Sequence, residues 1–573
     1  HHDDVTMLYF CQVSYSNFSV AVSEDGESWS DDYIADMAEG ECFQWKYLTP
    51  SYMGKDKYGN DQRFFYSQPI KFSARYVRIT SQQIGLKMNE IIFQDANGDR
   101  IPATVIAQLN VMEESTLYSD ANNIFDEQDT LEGLPSWWNS TYFDEIYHAR
   151  TAYEHLHGTA PYETSHPPLG KVIMSLGIAI FGMVPFGWRV MGALAGILML
   201  PAMYLLGKQL TKKSSFAFAA ALMLALDCQH FTQTRIATID SYPVLFILFS
   251  WLFMLRFMQR DIVRLPVKKL LPDLALSGLF MGLGIASKWI GVYSGAGLAV
   301  AFFWTIFRHM RMAATSAHLL KTDKSLSDED RKILTLRDQT TMKRVLVICL
   351  WCLLFFVAIP LAIYLLAYIP YFAYAHFDNL KDYLTAVWNA QLSMFSYHSK
   401  PGLGMDHPFY SPWYEWIFNQ RPMYYASPAY VNTPGWSYAI WCFGNPAIWS
   451  AALVGFAYTV FMWAKRHRYT LRKDGETLHW TAADWDVTMP FLLLSALSQF
   501  LPWVLVPRGT YIYHYFATTP FLMLSITVLF RDITRRFPKT GKWLLGIFLG
   551  VCLVMFVAYF PYASGTLTPT WWL

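Results

Sequence analysis

Residues 235–260 read RIATIDSYPVLFILFSWLFMLRFMQR. Between Ile239 and Gln259 the run is almost wholly apolar, close to the ~20 residues that carry a helix across a bilayer. Arg235 and Asp240 stand at its opening, and Arg256 and Arg260 at its close. One end therefore offers an acid beside a cation, and the other offers cations alone. This asymmetry recurs along the chain and decides its class.

Working outward, apolar runs fall at about 188–208, 214–228, 239–259, 271–287, 290–308, 345–371, 440–464, 486–505, 511–530 and 542–561. Only 16% of the 573 residues are charged, against about a quarter in a soluble protein. The pattern predicts a multi-pass α-helical membrane protein with about ten spans, and one more is expected upstream of residue 1. Net charge is +1, and neither a nucleic-acid motif nor a Gly-rich nucleotide loop is present, so nucleic acid is not an expected partner.

Lys and Arg fix the orientation. Lys208, Lys212 and Lys213 share one gap, and Arg256, Arg260, Arg264, Lys268 and Lys269 share another. Arg308, Arg311, Lys343 and Arg344 flank a third, Lys465, Arg466, Arg468, Arg472 and Lys473 form a fourth, and Arg531, Arg535, Arg536, Lys539 and Lys542 a fifth. These alternate gaps are read as cytoplasmic and the intervening ones as outward, in a plasma membrane. The Val172–Val184 stretch is short for a span and is expected to lie along the outer surface.

Residues 1–112 read differently. Phe18-Ser19-Val20-Ala21-Val22 alternates and runs into the turn Glu24-Asp25-Gly26; the run from Phe72 to Thr80 alternates again; Ile91-Ile92-Phe93 leads to the turn Ala96-Asn97-Gly98-Asp99. This predicts a small outward β-sandwich. The phrases VSEDGESW, ARYVRIT and NEIIFQDANGDRI resemble discoidin-type (factor 5/8 C-terminal-like) domains, a likeness that implies a glycan or surface as a further partner. Residues 113–187 are then an outward loop with interfacial helices, and 188–573 the membrane domain with an outer loop at 372–439. Cys11 and Cys42 are close enough in kind and compartment for a disulfide, though spacing does not establish one. Cys349 and Cys352 lie inside an apolar run and read as small buried hydrophobes.

The outward gaps carry an unusual share of ionisable groups. Asp144, Glu145, His148, Arg150 and His166 precede the first span, which Arg189 opens; Asp227, His230, Arg235 and Asp240 fill the next outward turn; Lys288, His398, Asp406, His407, Arg421, Arg508 and His514 follow. Charges beside apolar spans are costly and tend to be functional. Their sharing one face predicts a single polar site at the outer leaflet.

YFDEIYHA followed by HPPLGK, then WRVMGALAG, RIATIDSYPVLF, SKWIGVY and MFSYHSK…HPFYSPWYEW…RPMYY, resembles, in this order over about 140–520, the polyprenol-dependent protein O-mannosyltransferases of the GT-C fold, bacterial type. The resemblance implies transfer of a sugar, mannose as first expectation, from a polyprenyl-phosphate donor to a Ser/Thr hydroxyl of an acceptor protein, with inversion. It carries Asp144 and Glu145 over as the catalytic pair. On chemical grounds the base takes the acceptor proton, and cations meet the leaving phosphate: Arg189 first, for its two-pronged fork, then Arg235, Lys288 and Arg508. His166, Asp240, His398, His407 and His514 are further site candidates. No cofactor is required, the lipid-linked sugar being a substrate, and His398 and His407 lack a close metal-ligand spacing.

Plainer readings stand beside these. Asp144 and Glu145 are equally suited to a helix N-terminus, Asp240 to capping the helix after it, Lys288 to snorkelling, Arg189 to anchoring at the interface, and Trp413 and Trp416 to an interfacial belt. A lipid or cell-wall polymer as acceptor keeps the same chemistry. A transporter or lipid-binding receptor predicts paired half-repeats, which the sequence lacks.

Overall fold

The computed structural model describes residues 1–11, 18–35, 43–55, 61–66, 68–81, 88–108, 120–428, 433–465, 471–474, 477–480 and 487–572. The expected Cys11–Cys42 pairing involves Cys42, which lies outside the described residues.

The N-terminal strands are β1 (His2–Cys11), β2 (Phe18–Ser23), β3 (Tyr33–Ala35), β4 (Gln44–Tyr47), β5 (Ser51–Lys55), β6 (Asp61–Phe65), β7 (Phe72–Ala74), β8 (Tyr76–Ser81), β9 (Met88–Gln94) and β10 (Arg100–Ile101). One antiparallel sheet runs β10-β9-β1-β4 with β7 also on β1; a second runs β3-β2-β8. Met7, Tyr9, Phe18, Val20 and Ile91 from both sheets share one core, so the unit is a two-sheet sandwich. The alternation from Phe72 to Thr80 serves two sheets: Phe72 and Ala74 pair with β1, and Tyr76 onward pairs with β2. The turn after β9 closes as its sequence predicts, with Asp95 accepting from Asn97 and Asp99 N–H and Gly98 at φ 85°. The folded unit reaches past residue 112: Ile124 and Phe125 pack on the sandwich core, and Leu131 joins Leu8, Trp45 and Ile92.

The helices follow: α1 (Glu145–Leu156), α2 (Leu169–Phe181), α3 (Pro185–Thr211), α4 (Ser214–Ala225), α5 (Cys228–Arg235), α6 (Ser241–Met258), α7 (Leu271–Ser287), α8 (Ile290–Thr322), α9 (Asp328–Leu353), α10 (Ile359–Tyr371), α11 (Leu380–Ser399), α12 (Trp413–Trp416), α13 (Pro446–Lys465), α14 (Thr488–Phe500), α15 (Thr519–Arg536) and α16 (Pro538–Ser564). Among the described residues, seven helical segments are long and apolar enough to cross a membrane. The other three expected runs are α4 with 12 residues, α7 with 17, and α15, whose last turn carries Arg535 and Arg536.

The boundaries depart from the apolar runs where polar residues continue or replace a helix. α8 and α9 extend well past them, because hydropathy measures apolar length and not helix length; Asp261 reaches Arg337 of the extension at 2.7 Å. The expected run 511–530 splits: Ile512–Ala517 is a tight 3-10 turn, and α15 starts at Thr519 with Pro520 in its first turn. The expected run 440–464 begins with a short strand, Ile440–Cys442, before α13. α2 has 13 residues, about 20 Å at 1.5 Å per residue, short of a crossing. It lies tightly against α3 because Gly177 and Gly187 lack side chains; a Cβ on Gly177 falls 2.3 Å from the Gly187 carbonyl oxygen.

The helices share one polarity. Lys208 closes α3, Arg256 closes α6, Lys268 and Lys269 precede α7, Lys465 closes α13, Arg535 and Arg536 close α15, and Lys539 and Lys542 open α16. All these lie at one end of the bundle. Asp144, Asp240, Lys288 and Arg508 lie in the connections at the other.

Candidate active site

Asp144 and Glu145 stand at the start of α1, and their side chains go to different places. The run before them is clamped. Thr141 N–H donates to the Phe43 carbonyl at 3.0 Å, and Trp45 N–H to Ser140 Oγ at 3.0 Å, so the end of β4 holds this segment. Phe143 sits at φ 50°, a costly conformation for a large side chain. Its ring is pinned by Tyr425 at 4.4 Å and Tyr513 at 6.3 Å.

Glu145 is fully buried. Its carboxylate accepts from Arg189 Nε and Nη2, each at 2.7 Å, from Ala237 N–H at 2.9 Å, Tyr142 N–H at 3.2 Å and Trp188 Nε1 at 3.4 Å. Arg189 Nη2 also donates to the Ser140 carbonyl at 2.9 Å. This two-pronged ion pair joins α1, α3 and the segment before α6. The structure adds to the expectations for the pair: the Arg189 fork is engaged by Glu145, and the Glu145 oxygens are occupied by these donors.

Asp144 is the opposite case. Its side chain makes no capping hydrogen bond, although it occupies the N-cap position. Burial pushes its carboxyl up to about 7; Lys288 pulls it down, while Asp240 and Glu163 push it further up. Lys288 is buried and donates from Nζ to Asp240 Oδ1 at 2.6 Å. It does not snorkel, and Asp240 does not cap α6 with its side chain. Lys288 Nζ also lies 5.9 Å from the centre of the Tyr513 ring.

A second tier stands behind this carboxylate. Glu163 accepts from Lys171 Nζ, from Ser165 N–H at 2.8 Å and pairs with His166 Nδ1 at 3.0 Å. Lys171 is fully buried. The ring of His166 lies 5.1 Å from that of His398, and His398 Nε2 bonds the Ser165 carbonyl at 2.7 Å. Burial lowers His166 to about 3 against the pull of Glu163, and lowers His398 to about 4 with the help of the Arg508 charge, so both rings are neutral near pH 7. Arg508 acts electrostatically on His398, Tyr513 and His514 together, and its Nε is buried without a hydrogen-bond partner.

Thus Asp144, Asp240, Lys288, His166, His398, Arg508 and His514 converge from six stretches of chain. His514 uses Nδ1 to accept from Tyr511 N–H at 3.0 Å and packs its ring 4.4 Å from Trp503. His407 is peripheral, accepting from Phe409 N–H at 3.2 Å and lying edge-on to Tyr511 at 5.3 Å. Trp416 is not an interfacial residue: it is fully buried against Trp503 and Tyr515, with Nε1 donating to Ser411. Arg235 falls outside the group; its guanidinium stacks over Trp137 at 4.6 Å, on the Arg189 side of the segment. Sequence reasoning missed Glu163, Lys171 and Tyr513. The first two flank HPP at 163–171, and an acid and a lysine bracketing a Pro-rich outward turn are the signal that was available.

Comparison with known proteins places this geometry in a family. The family described as dolichyl-phosphate-mannose-protein mannosyltransferase matches residues 180–380, and the C-terminal four-transmembrane region of protein O-mannosyltransferase matches 383–570. A polyprenol-phosphate-mannose–protein mannosyltransferase of Mycolicibacterium smegmatis is 25% identical over 447 residues, covering 70% of this chain and 78% of that protein. One from Mycobacterium tuberculosis is 25% identical over 462 residues, 72% and 80%. The structure of the S. cerevisiae protein O-mannosyltransferase Pmt1–Pmt2 complex bound to the sugar donor superposes with a TM-score of 0.58 at 12% identity, covering 74% of this chain and 87% of that one. The membrane half has the GT-C fold, and the chain belongs to the protein O-mannosyltransferase family.

Proposed function

We propose that this protein transfers mannose from a polyprenyl-phosphate carrier to a Ser/Thr hydroxyl of an acceptor protein at the extracytoplasmic face of the plasma membrane. The observation that carries the reading is the state of Asp144: a half-buried carboxylate with no side-chain hydrogen bond of its own, raised to about 7, facing the buried cation Lys288. A general base works best with a pKa near the operating pH. The acceptor O–H gives its proton to Asp144 as its oxygen bonds the anomeric carbon. The bond from that carbon to the phosphate oxygen breaks, and the polyprenyl phosphate departs with the electron pair. Attack opposite the leaving group inverts the anomeric centre.

Lys288 and Arg508 meet the charge that grows on the phosphate, and in this reading no metal cofactor is required. Asp240 holds Lys288, and Glu145 with Arg189 holds the backbone that presents Asp144. The sidedness rests on the helix ends: basic residues mark the end away from the site, which is the cytoplasmic one under the positive-inside bias. The sandwich then stands outside, where a glycan is a candidate ligand for it.

The test is reconstitution in vesicles with polyprenyl-phosphate mannose and a Ser/Thr-rich peptide. Mannosylated peptide is the expected product. Mannose appearing on lipid or polymer with none on the peptide replaces the acceptor, and full transfer by Asp144→Asn removes the base.

A further inference from the structure

α11, in the connection between two membrane-crossing segments, presents three faces. Val387 and Met394 are buried with Tyr368 and Tyr371 of α10. Lys381, Thr385, Asn389 and Ser396 form an exposed polar row. Between these two faces lies a row of large apolar side chains, Leu380, Leu384, Trp388, Leu392 and Phe395, spaced four, four, four and three residues apart and hence on one side of the helix. These are exposed as well, Trp388 at 63% and Phe395 at 64%. The apolar face of α11 is thus wider than the part that α10 covers. Five large apolar side chains in one contiguous row are costly to leave in water.

The way α11 meets α10 sets its direction. Tyr383 Oη donates to the Leu365 carbonyl, Tyr364 Oη donates to Gln391 Oε1 at 2.5 Å, Gln391 Nε2 donates to Tyr368 Oη at 3.0 Å, and that hydroxyl lies 3.9 Å from Met394 Sδ. On α11 these partners span Tyr383 to Met394, about 16 Å of helix; on α10 they fall between Tyr364 and Tyr368, about 6 Å. The two helices therefore cross steeply. α10 ends the helical run Asp328–Tyr371, whose apolar window has a mean hydropathy of 2.9 and is only 17% buried, so α10 stands across the membrane and α11 lies along it. The crossing sits about 5–10 Å short of the end of α10 at Tyr371, the depth at which an amphipathic helix rests between headgroups and acyl chains.

We propose that α11 lies flat in the leaflet at the active-site end of the bundle, with the Leu380–Phe395 row immersed in the acyl chains of bulk phospholipid. Continuity argues for this occupant. Leu366, within the crossing, is 62% exposed and Ile369, one residue beyond it, 56%, so the hydrocarbon that covers α10 there reaches the apolar row of α11. A second protein chain is the poorer fit: helices that associate in membranes approach through small residues, and this row has none. At its far end α11 carries His398, which bonds the Ser165 carbonyl at 2.7 Å. The leaflet thereby holds the helix that delivers this ring to the site, a contact that is independent of the transferase reading.

The experiment introduces the photoreactive residue p-benzoylphenylalanine, one position at a time, at Leu384, Trp388 or Phe395 and at Thr385, Asn389 or Ser396. The full chain is reconstituted in vesicles of phosphatidylcholine and phosphatidylglycerol, illuminated, and its adducts are read by mass spectrometry. Phospholipid adducts are expected to be about ten-fold or more abundant from the apolar row than from the polar one, as the burial of one face in the acyl layer requires. Equal adducts from both rows, or chain-to-chain adducts in place of lipid from the apolar row, overturn the proposal; the second result would mean that another copy covers this face. Should the labelled chains fail to fold, vesicles containing acyl-brominated phosphatidylcholine decide: the fluorescence that Trp388→Phe removes is expected to be quenched by the bromine, and an unquenched component overturns the proposal.

Discussion

Two acids adjacent in sequence are treated in opposite ways by the fold. On one side of the Asp144–Glu145 step, Glu145 receives five hydrogen bonds from four residues and is sealed from solvent. On the other, Asp144 keeps its carboxylate unbonded in a polar pocket and is raised to about 7. The lesson is a division of labour. A group meant to accept a proton must be short of partners, and such a group stays in place only when its neighbour is over-supplied with them. The left-handed backbone at Phe143, gripped by two tyrosine rings, is the twist that sends the two side chains apart.

The largest effect expected from this comparison is on catalysis without any on folding. Asp144→Asn is expected to lower transfer by about 10³–10⁴-fold, the upper range for a lost general base. Because the carboxylate holds no side-chain bond, thermal unfolding of the variant is expected to match or exceed the wild type. A variant that is both inactive and markedly less stable would show that Asp144 is structural too, and the contrast with Glu145 would dissolve.

The mirror experiment reverses the two readouts. Glu145→Ala leaves the Arg189 guanidinium buried and unpaired, which costs about 3–5 kcal/mol. Expression and thermal stability are expected to fall steeply, and the remaining folded fraction to keep Asp144 poorly presented. Arg189→Met in the same background is expected to recover part of the stability, since removing both charges avoids the orphan. If Glu145→Ala unfolds like the wild type, the clamp is not what holds this turn.

How much of this was open to a reader of the sequence divides along the same line. The alternation of basic gaps along the chain told which helix ends would gather at one end of the bundle, because short-loop charge is a local property. The site face was legible for the same reason: Asp240, Lys288 and Arg508 each border an apolar run, and Asp144 precedes the first of them. What the sequence did not yield was pairing. Glu145 and Arg189 lie 44 positions apart, so nothing local told that they would neutralise each other rather than a ligand. Lys288 and Asp240, 48 apart, posed the same problem. The Phe72–Thr80 alternation predicted a strand but not that it would split at Arg75 between two sheets. The lengths of α8 and α9 were hidden because their polar extensions pair with each other and with Asp261 outside any apolar run.

Lys288 lies within the catalytic side of the comparison, and its removal separates charge from shape. Lys288→Met is expected to slow transfer by about 10²–10³-fold through lost phosphate stabilisation. It also acts on the base. Lys288 is the influence that lowers Asp144, so without it the carboxyl rises further above the ordinary range. The base works deprotonated, so activity rises with pH through its pKa. The ascending limb of kcat/KM against pH, expected near 7 in the wild type, therefore moves to higher pH in this variant. An unmoved limb would mean the titrating group is not Asp144.

Asp240→Asn supplies the smallest effect and the opposite sign. Asp240 is one of the charges that raise Asp144, so neutralising it lowers the base and draws the ascending limb toward acid. The amide still offers an oxygen to Lys288 Nζ where Asp240 Oδ1 now accepts at 2.6 Å, so the lysine is held, though more weakly. The rate at saturating pH is expected to fall by no more than about ten-fold, the worth of one weakened charge-assisted bond. Opposite displacements of one limb by two residues that touch each other cannot come from a general loss of structure, which would lower the curve without moving it. A limb that shifts the same way in both variants would place the titration on a group other than Asp144.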